Sequence, residues 1–366
     1  MTIAVLVARY STSGVPLAQI RLAEALARRG HEVDLLFGFA EDPGELPAVP
    51  GVEVRNFNQA KVRGLLAPLM GYLRRRRPDV VFSAEDHLNA ILLISALAVR
   101  SKARISASSR VTPFDTYSDQ PLSKRWALKQ IMRLVGRRAD ALTCVSHDMV
   151  DQYRSVFPGA RHVGVYNIVD KASALGRIAE PVDDYWFHDR NPRLMVAAGS
   201  LVPWKGYGEL IDAVAILRDR GVIVRLAILG DGPLRGSLNA QIEQQGLADR
   251  VRLLGRVANP LKFFARAGLF ALSSHVEGMP NVLVEAMMCG CTPVATDCPT
   301  GPRELLHGGR FGYLTPAGDP AGFADAIERA LARPIAPAKL DEAIVSFSEC
   351  AVLDRHFELL GLADKS

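Results

Sequence analysis

Residues 269 to 304 read LFALSSHVEGMPNVLVEAMMCGCTPVATDCPTGPRE, and the fold follows from how this stretch divides. Leu269 to Ser273 is an apolar run of strand length. Asn281 to Cys289 carries helix formers with Pro280 at the helix start, and Thr292 to Thr296 is a second apolar run. The order strand, loop, helix, strand is one α/β unit. Two glutamates eight residues apart belong to it, Glu277 in the Gly/Pro loop ahead of the helix and Glu285 one turn inside it. A helix rises about 1.5 Å per residue, so Glu285 stays near the N-terminus, where free N–H groups and the macrodipole favour an anion or polyhydroxyl ligand. Both carboxylates can face one cleft. Taken alone, the spacing also suits a solvated loop acid and a dipole-complementing one.

The run Glu277-Gly278-Met279-Pro280-Asn281-Val282-Leu283-Val284-Glu285-Ala286-Met287, followed by Gly290, Thr292-Pro293-Val294 and Asp297, resembles the signature of family 4 retaining glycosyltransferases, the glycosyl transferases group 1. The resemblance implies the GT-B fold: α/β, with two Rossmann-like doubly wound domains facing a central cleft and a C-terminal helix crossing back to the first domain. It places Glu277 against the donor sugar and Glu285 on the ribose hydroxyls of a nucleotide, with Gly278, Met279, Pro280, Asn281 and Val282 lining the donor between them.

Length and composition fit that expectation. A chain of 366 residues suits two α/β domains of roughly 150 to 180 residues each. Apolar content of 49% with 23% charge describes a globular protein. No uncharged run reaches the roughly 18 to 20 residues that cross a bilayer; the longest is His87 to Val99. The opening MTIAVLVARYSTSG has no basic region before its apolar run and reads as a first strand, not a secretory signal. The five cysteines, at 144, 289, 291, 298 and 350, lack metal-ligand spacing and are expected as free thiols of a cytoplasmic protein. No metal or other cofactor is expected.

Charge is uneven. The first 175 residues hold 24 basic against 16 acidic side chains, and the rest 20 against 23. The densest basic patch is Arg74 to Arg77, which suits attraction of the first half to an anionic membrane face and, equally, a solvated helix end. Nucleic acid is not expected as a partner, because aromatics make up 7% and no base-stacking motif accompanies the arginines.

Along the chain, Ile3 to Ala8 is a strand, Ser11-Thr12-Ser13-Gly14 a small-residue loop, and Pro16 a helix start. Strands follow at His31 to Phe37, Val52 to Phe57, Asp79 to Ser83, Arg104 to Ala107 and Ala141 to Val145, with a helix over Leu88 to Val99. Loops at the carboxyl ends of parallel strands carry function, so Asp86, His87 and Arg110 are the candidate acceptor-binding residues, with Glu85 and Ser109 beside them. Residues 110 to 121 lack periodicity, and a basic helix runs from Ser123 to Arg138. Domain boundaries are expected at 1–170, 171–190 as linker, 191–338, and 339–366 as a final helix packing back on the first domain.

The second half repeats the pattern. A strand from Arg193 leads into Ser200-Leu201-Val202-Pro203-Trp204-Lys205-Gly206, where related enzymes grip the diphosphate with an arginine and a lysine. Lys205 matches the lysine, and Ser200 stands where the arginine would be. The resemblance adds Gly14 beneath the diphosphate, Gly230 after the next strand, and Arg256 and Val257 near the base. Catalytic candidates are Glu277, Lys205 and His87. The expected activity is retaining transfer of a sugar from a nucleotide-diphosphate donor, a UDP-sugar, to a glycan or lipid-linked acceptor in cell-surface polysaccharide or glycolipid synthesis, in the cytoplasm or on the inner membrane face. A sugar-nucleotide epimerase and a non-enzymatic two-lobed sugar-binding protein are the competing readings.

Overall fold

The structure, a computed structural model, describes every residue except 12, 13, 43, 45 and 363–366. It divides into two compact units, Met1–Ile168 with Glu349–Ser366, and Val169–Ser348.

Among the described residues the first unit holds a parallel sheet of seven strands. These are β1 Thr2–Arg9, β2 Glu32–Phe39, β3 Val52–Asn56, β4 Val80–Ala84, β5 Arg104–Ser109, β6 Ala141–Cys144 and β7 His162–Gly164, in the order β3-β2-β1-β4-β5-β6-β7. Ile3 to Val7 are buried without interruption, the pattern of a parallel strand covered on both faces. Chain order reverses between β1 and β4, which puts the loops leaving these strands beside the switch-point crevice.

The second unit has six parallel strands among its described residues: β8 Asn191–Ala198, β9 Arg225–Leu229, β10 Val251–Gly255, β11 Ala267–Leu272, β12 Thr292–Thr296 and β13 Tyr313–Thr315. Their order is β10-β9-β8-β11-β12-β13. Met195, Ile228, Leu269 and Val294 from the sheet pack with Ile211, Leu217, Phe323 and Ile327 from the helices. The switch point lies between β8 and β11.

Several elements differ from expectation. The first helix begins at Gly14, not Pro16, because a proline is tolerated in the first turn, where its missing N–H has no partner to lose. Residues 171–190, expected as linker, contain the helix Lys171–Ala179, started by Asp170 Oδ2 accepting from the Ser173 amide at 2.8 Å. Within 110–121, Thr112 caps a short helix, Pro113–Thr116. The single helix expected over 339–360 is two, Pro337–Ile344 in the second unit and Glu349–Leu359 in the first. Ser348, extended at φ −61° and ψ 151°, breaks them apart. The later helix sinks Val352, Leu353 and Phe357 among Ile3, Leu26 and Phe82. Its partners include Glu349, 2.5 Å from Arg28 Nη2, and Asp354, 2.7 Å from Arg29 Nη2.

Candidate active site

In the second unit the β8 loop carries Lys205 and the β11 loop Glu277, so both side chains rise at the switch point. Three contacts join the loops. Ser273 Oγ donates to the Lys205 carbonyl at 2.8 Å, the His275 amide donates to the Trp204 carbonyl at 2.8 Å, and Lys205 Nζ lies 2.5 Å from Glu277 Oε1. Gly206 permits this closeness. Its φ of 64° is left-handed, and a Cβ there would meet the Ser273 carbonyl oxygen at 2.1 Å.

Glu277 is fixed from several sides. Ser274 Oγ donates to Oε1 at 2.6 Å, the Glu277 amide donates to the Pro299 carbonyl at 2.8 Å, and its carbonyl accepts from Thr300 N and Oγ1 at 3.0 and 2.9 Å. The side chains of Lys205 and Glu277 are 18% and 12% exposed. An ion pair shielded to this degree is costly to break from one side. With burial as the larger cause, Glu277 also pushes the Tyr207 phenol upward.

Glu285, fifth residue of the helix Asn281–Met288, lies on its buried side. Burial, then the nearby Glu285 carboxylate, pushes the Cys289 thiol up to about 12. Met279 and Pro280 are buried; Gly278, Asn281 and Val282 are partly exposed along the same connection. Ser200 is exposed on the β8 loop. Gly230 approaches the neighbouring loop so closely that a Cβ would meet the Gly199 carbonyl oxygen at 1.9 Å. Arg256 is exposed and Val257 partly so, just past β10. Elsewhere in this unit, Arg303 is engaged by Asp297 through Nε at 2.9 and 3.1 Å and through Nη2. Arg235 donates to the Leu253 carbonyl at 3.2 Å.

In the first unit, Gly14 opens its helix in an exposed position with nothing within 4 Å of where a Cβ would stand. Thr12 and Ser13 of that loop lie outside the described residues. Asp86, expected at the acceptor surface, is 4% exposed, and both its oxygens are taken, Oδ1 by Ser109 Oγ at 2.7 Å and Oδ2 by Tyr153 OH at 2.6 Å. It is a strut in the wall, and burial raises its carboxyl pKa against the pull of those hydrogen bonds. His87 is half exposed, 3.9 Å from Glu85 Oε2. Glu85 itself sits at φ 80° and ψ 127°, a strained position for a side chain, and burial raises its carboxyl, opposed by His87 and Arg110. Arg110 Nη1 donates to Asn167 Oδ1, and burial pushes the guanidinium down to about 10.

The structure thus joins Lys205 and Glu277 directly and gathers Glu85, His87 and Arg110 separately at the ends of β4 and β5. Sequence reading missed Ser273, which holds the Lys205 loop, and Ser274 and Thr300, which set the Glu277 geometry. The two serines directly after β11 were the available signal. Among the described residues no group of three His, Cys, Asp or Glu side chains is arranged to hold a metal ion.

A family model described as "Glycosyl transferases group 1" matches residues 192–333, and one described as "Glycosyl transferase 4-like domain" matches 13–167. An uncharacterized glycosyltransferase of Methanocaldococcus jannaschii is 27% identical, the match covering 71% of each chain. The N-acetylgalactosamine-N,N'-diacetylbacillosaminyl-diphospho-undecaprenol 4-alpha-N-acetylgalactosaminyltransferase of Campylobacter jejuni is 36% identical over 64% of this chain and 62% of that enzyme. Among solved structures, Anabaena HepE in complex with UDP superposes with a TM-score of 0.78 at 21% identity, covering 99% of this chain and 100% of that one. The apo lipopolysaccharide outer core galactosyltransferase WaaB gives 0.75 at 18%, covering 99% of both.

Proposed function

Because the chain belongs to the group 1 glycosyl transferases and has their GT-B fold, we propose that it moves a sugar from a UDP-sugar to a glycan or lipid-linked acceptor, with retention at the anomeric carbon. The observation that carries this reading is the Lys205–Glu277 pair at the switch point of the second unit. Breaking a sugar–phosphate bond puts negative charge on the departing phosphate, and a fixed cation there stabilises the transition state. Lys205 is assigned that role. Glu277, clamped by Ser274 and Thr300, orients the ring hydroxyls while positive charge grows on the sugar carbon. Glu285 holds the ribose, and Arg256 and Val257 flank the base. Ser200 contributes a hydroxyl where relatives place a cation.

The acceptor is assigned to His87, Arg110 and Glu85 of the first unit. A buried guanidinium beside a carboxyl raised by burial suits a polar, hydroxyl-rich ligand. UDP in the HepE complex and the diphospho-undecaprenol acceptor in the name of the Campylobacter enzyme support these donor and acceptor classes. No described helix is long and apolar enough to cross a membrane. Thermal stabilisation by a panel of nucleotide sugars, followed by mass analysis of products with glycan and lipid-diphosphate acceptors, tests the proposal. Stabilisation by UDP-sugars and an acceptor-dependent mass gain are expected. Turnover of the donor to an isomeric nucleotide sugar without acceptor would overturn it in favour of an epimerase.

A further inference from the structure

Gly206 stands between two rigid pieces of the second unit. Lys205 ends the short turn Pro203–Lys205, and the helix Tyr207–Asp219 starts on the other side of the glycine. A left-handed glycine, here at φ 64°, has wide conformational freedom, so its own backbone does little to fix the angle between turn and helix. The placement of Lys205 therefore depends on what grips the chain before and after this point.

That grip comes from alternate residues of the loop after β11. Ahead of Gly206, Ser273 Oγ donates to the Lys205 carbonyl and the His275 amide to the Trp204 carbonyl, each at 2.8 Å. Behind it, His275 Nε2 lies 2.9 Å from Oε1 of Glu209, an acid in the first turn of the helix. A carboxylate only accepts, so Nε2 carries the hydrogen. The other oxygen, Glu209 Oε2, sits so near the glycine that a Cβ on Gly206 would stand 3.1 Å from it. His275 thus holds both sides of Gly206, its main chain on the turn and its ring on the helix. Glu277, two residues on, completes the alternating set through Lys205 Nζ.

These contacts differ in what they ask of the lysine. The Glu277 contact occupies its charge and has to open when a diphosphate takes that charge. Those of Ser273 and His275 engage two carbonyls and Glu209, and none of them uses Nζ, so they persist when the ion pair opens. The His275 and Glu209 side chains are 39% and 38% exposed, and a pair exposed to that degree contributes little to stability. Its value lies in where it sits. The stretch Ser200–Gly206 has Lys205 as its single cation, so no second charge compensates for a misplaced one.

We propose that His275, braced on Glu209, is a positioning residue that keeps Lys205 on the donor diphosphate after Glu277 releases it. The proposal rests on the donor reading given above, in which Lys205 meets the phosphates. Calorimetric titration of the full chain with UDP tests it. His275→Leu keeps the main-chain contact, removes the ring's, and is expected to weaken UDP binding about tenfold, within the range that coupled neighbours show. His275→Gln, whose amide nitrogen donates to Glu209 in place of Nε2, stays within about twofold of the wild type. Glu209→Ala gives the same loss as His275→Leu, and the two together give no more than either. In a Lys205→Met background, His275→Leu changes UDP affinity by less than about twofold, which a general loosening of the unit would not produce. Unchanged binding by His275→Leu, an equal loss in both backgrounds, no recovery by His275→Gln, or additive losses with Glu209→Ala would each overturn the proposal and leave the donor reading standing. A wild-type chain that binds neither UDP nor any other nucleoside diphosphate would overturn both.

Discussion

Lys205 cannot give its full charge to a diphosphate while Glu277 holds it at 2.5 Å. The two charges neutralise each other, and nucleotide must compete with a carboxylate for the lysine. Glu277→Gln removes the competitor and keeps the shape. At an effective dielectric of about 20, the gross attraction at this spacing is about 7 kcal/mol, most of it offset by desolvation. The partial exposure of the two side chains leaves about 2 kcal/mol net, below the roughly 3 to 5 kcal/mol that breaking a fully buried pair costs. Three consequences follow for the variant. Its Tm falls by about 4 to 8 °C; the second unit spans Val169–Ser348. Its affinity for UDP without sugar rises about tenfold, because about 1.4 kcal/mol of the released lysine charge becomes available to the phosphates. Its turnover falls about a hundredfold, since the carboxylate no longer faces the developing positive sugar carbon. Lys205→Met is the counterpart, with a similar loss of Tm, weaker UDP binding and turnover down by about a hundred to a thousandfold. Calorimetric titration with UDP and scanning calorimetry read the two signs. Weaker or unchanged UDP binding by Glu277→Gln would refute the reasoning, as would a Tm unchanged in both variants.

Glu285→Gln is expected to weaken UDP binding about tenfold with little change in Tm, measured by the same titration, because under the proposed function the ribose hydroxyls lose a charged acceptor. Gly206→Ala combines a left-handed φ with a Cβ 2.1 Å from the Ser273 carbonyl oxygen, so a loss of about 3 kcal/mol or more in denaturant unfolding is expected, with turnover falling as Lys205 shifts. His356 is buried, and burial, then Arg110, pushes its pKa down to about 3. The unfolded chain therefore binds a proton that the folded one refuses, and stability falls as pH drops below about 6.5, by up to about 1.4 kcal/mol per pH unit. His356→Phe should flatten that acid slope by about one proton, read from urea unfolding near pH 5.

The second unit was the more legible half, for a physical reason. Its strand, loop and helix each carry their own signal, the apolar run of β11, the Pro280 start and the turn-forming Gly290. The contacts that fix Glu277 carry none, since Thr300 reaches it from a separate loop, and no local pattern encodes a pairing across 23 residues. Pairing of Lys205 with Glu277 across 72 residues was likewise invisible. In the first unit the strand ends pointed to His87 and Arg110, but the helix expected from Leu88 begins at Asp86 and takes His87 into its first turn, and Asp86 reads the same in sequence whether it faces solvent or a tyrosine. Only the packing of Tyr153 beneath it decides. Helix Lys171–Ala179 was passed over because its start depends on the Asp170 cap more than on apolar period.

The helix Glu349–Leu359 has a consequence for biogenesis. Val352, Leu353 and Phe357 fill the same interior as Ile3 and Leu26, so that interior stays incomplete until residues beyond Ser348 have been made. The intervening Val169–Ser348 region is contiguous and can close while synthesis continues. The first unit's strands are therefore made before the second unit but closed after it, and stay open to chaperones and proteases in the interval. A nascent chain stalled short of Glu349 should be cut preferentially before Ile168.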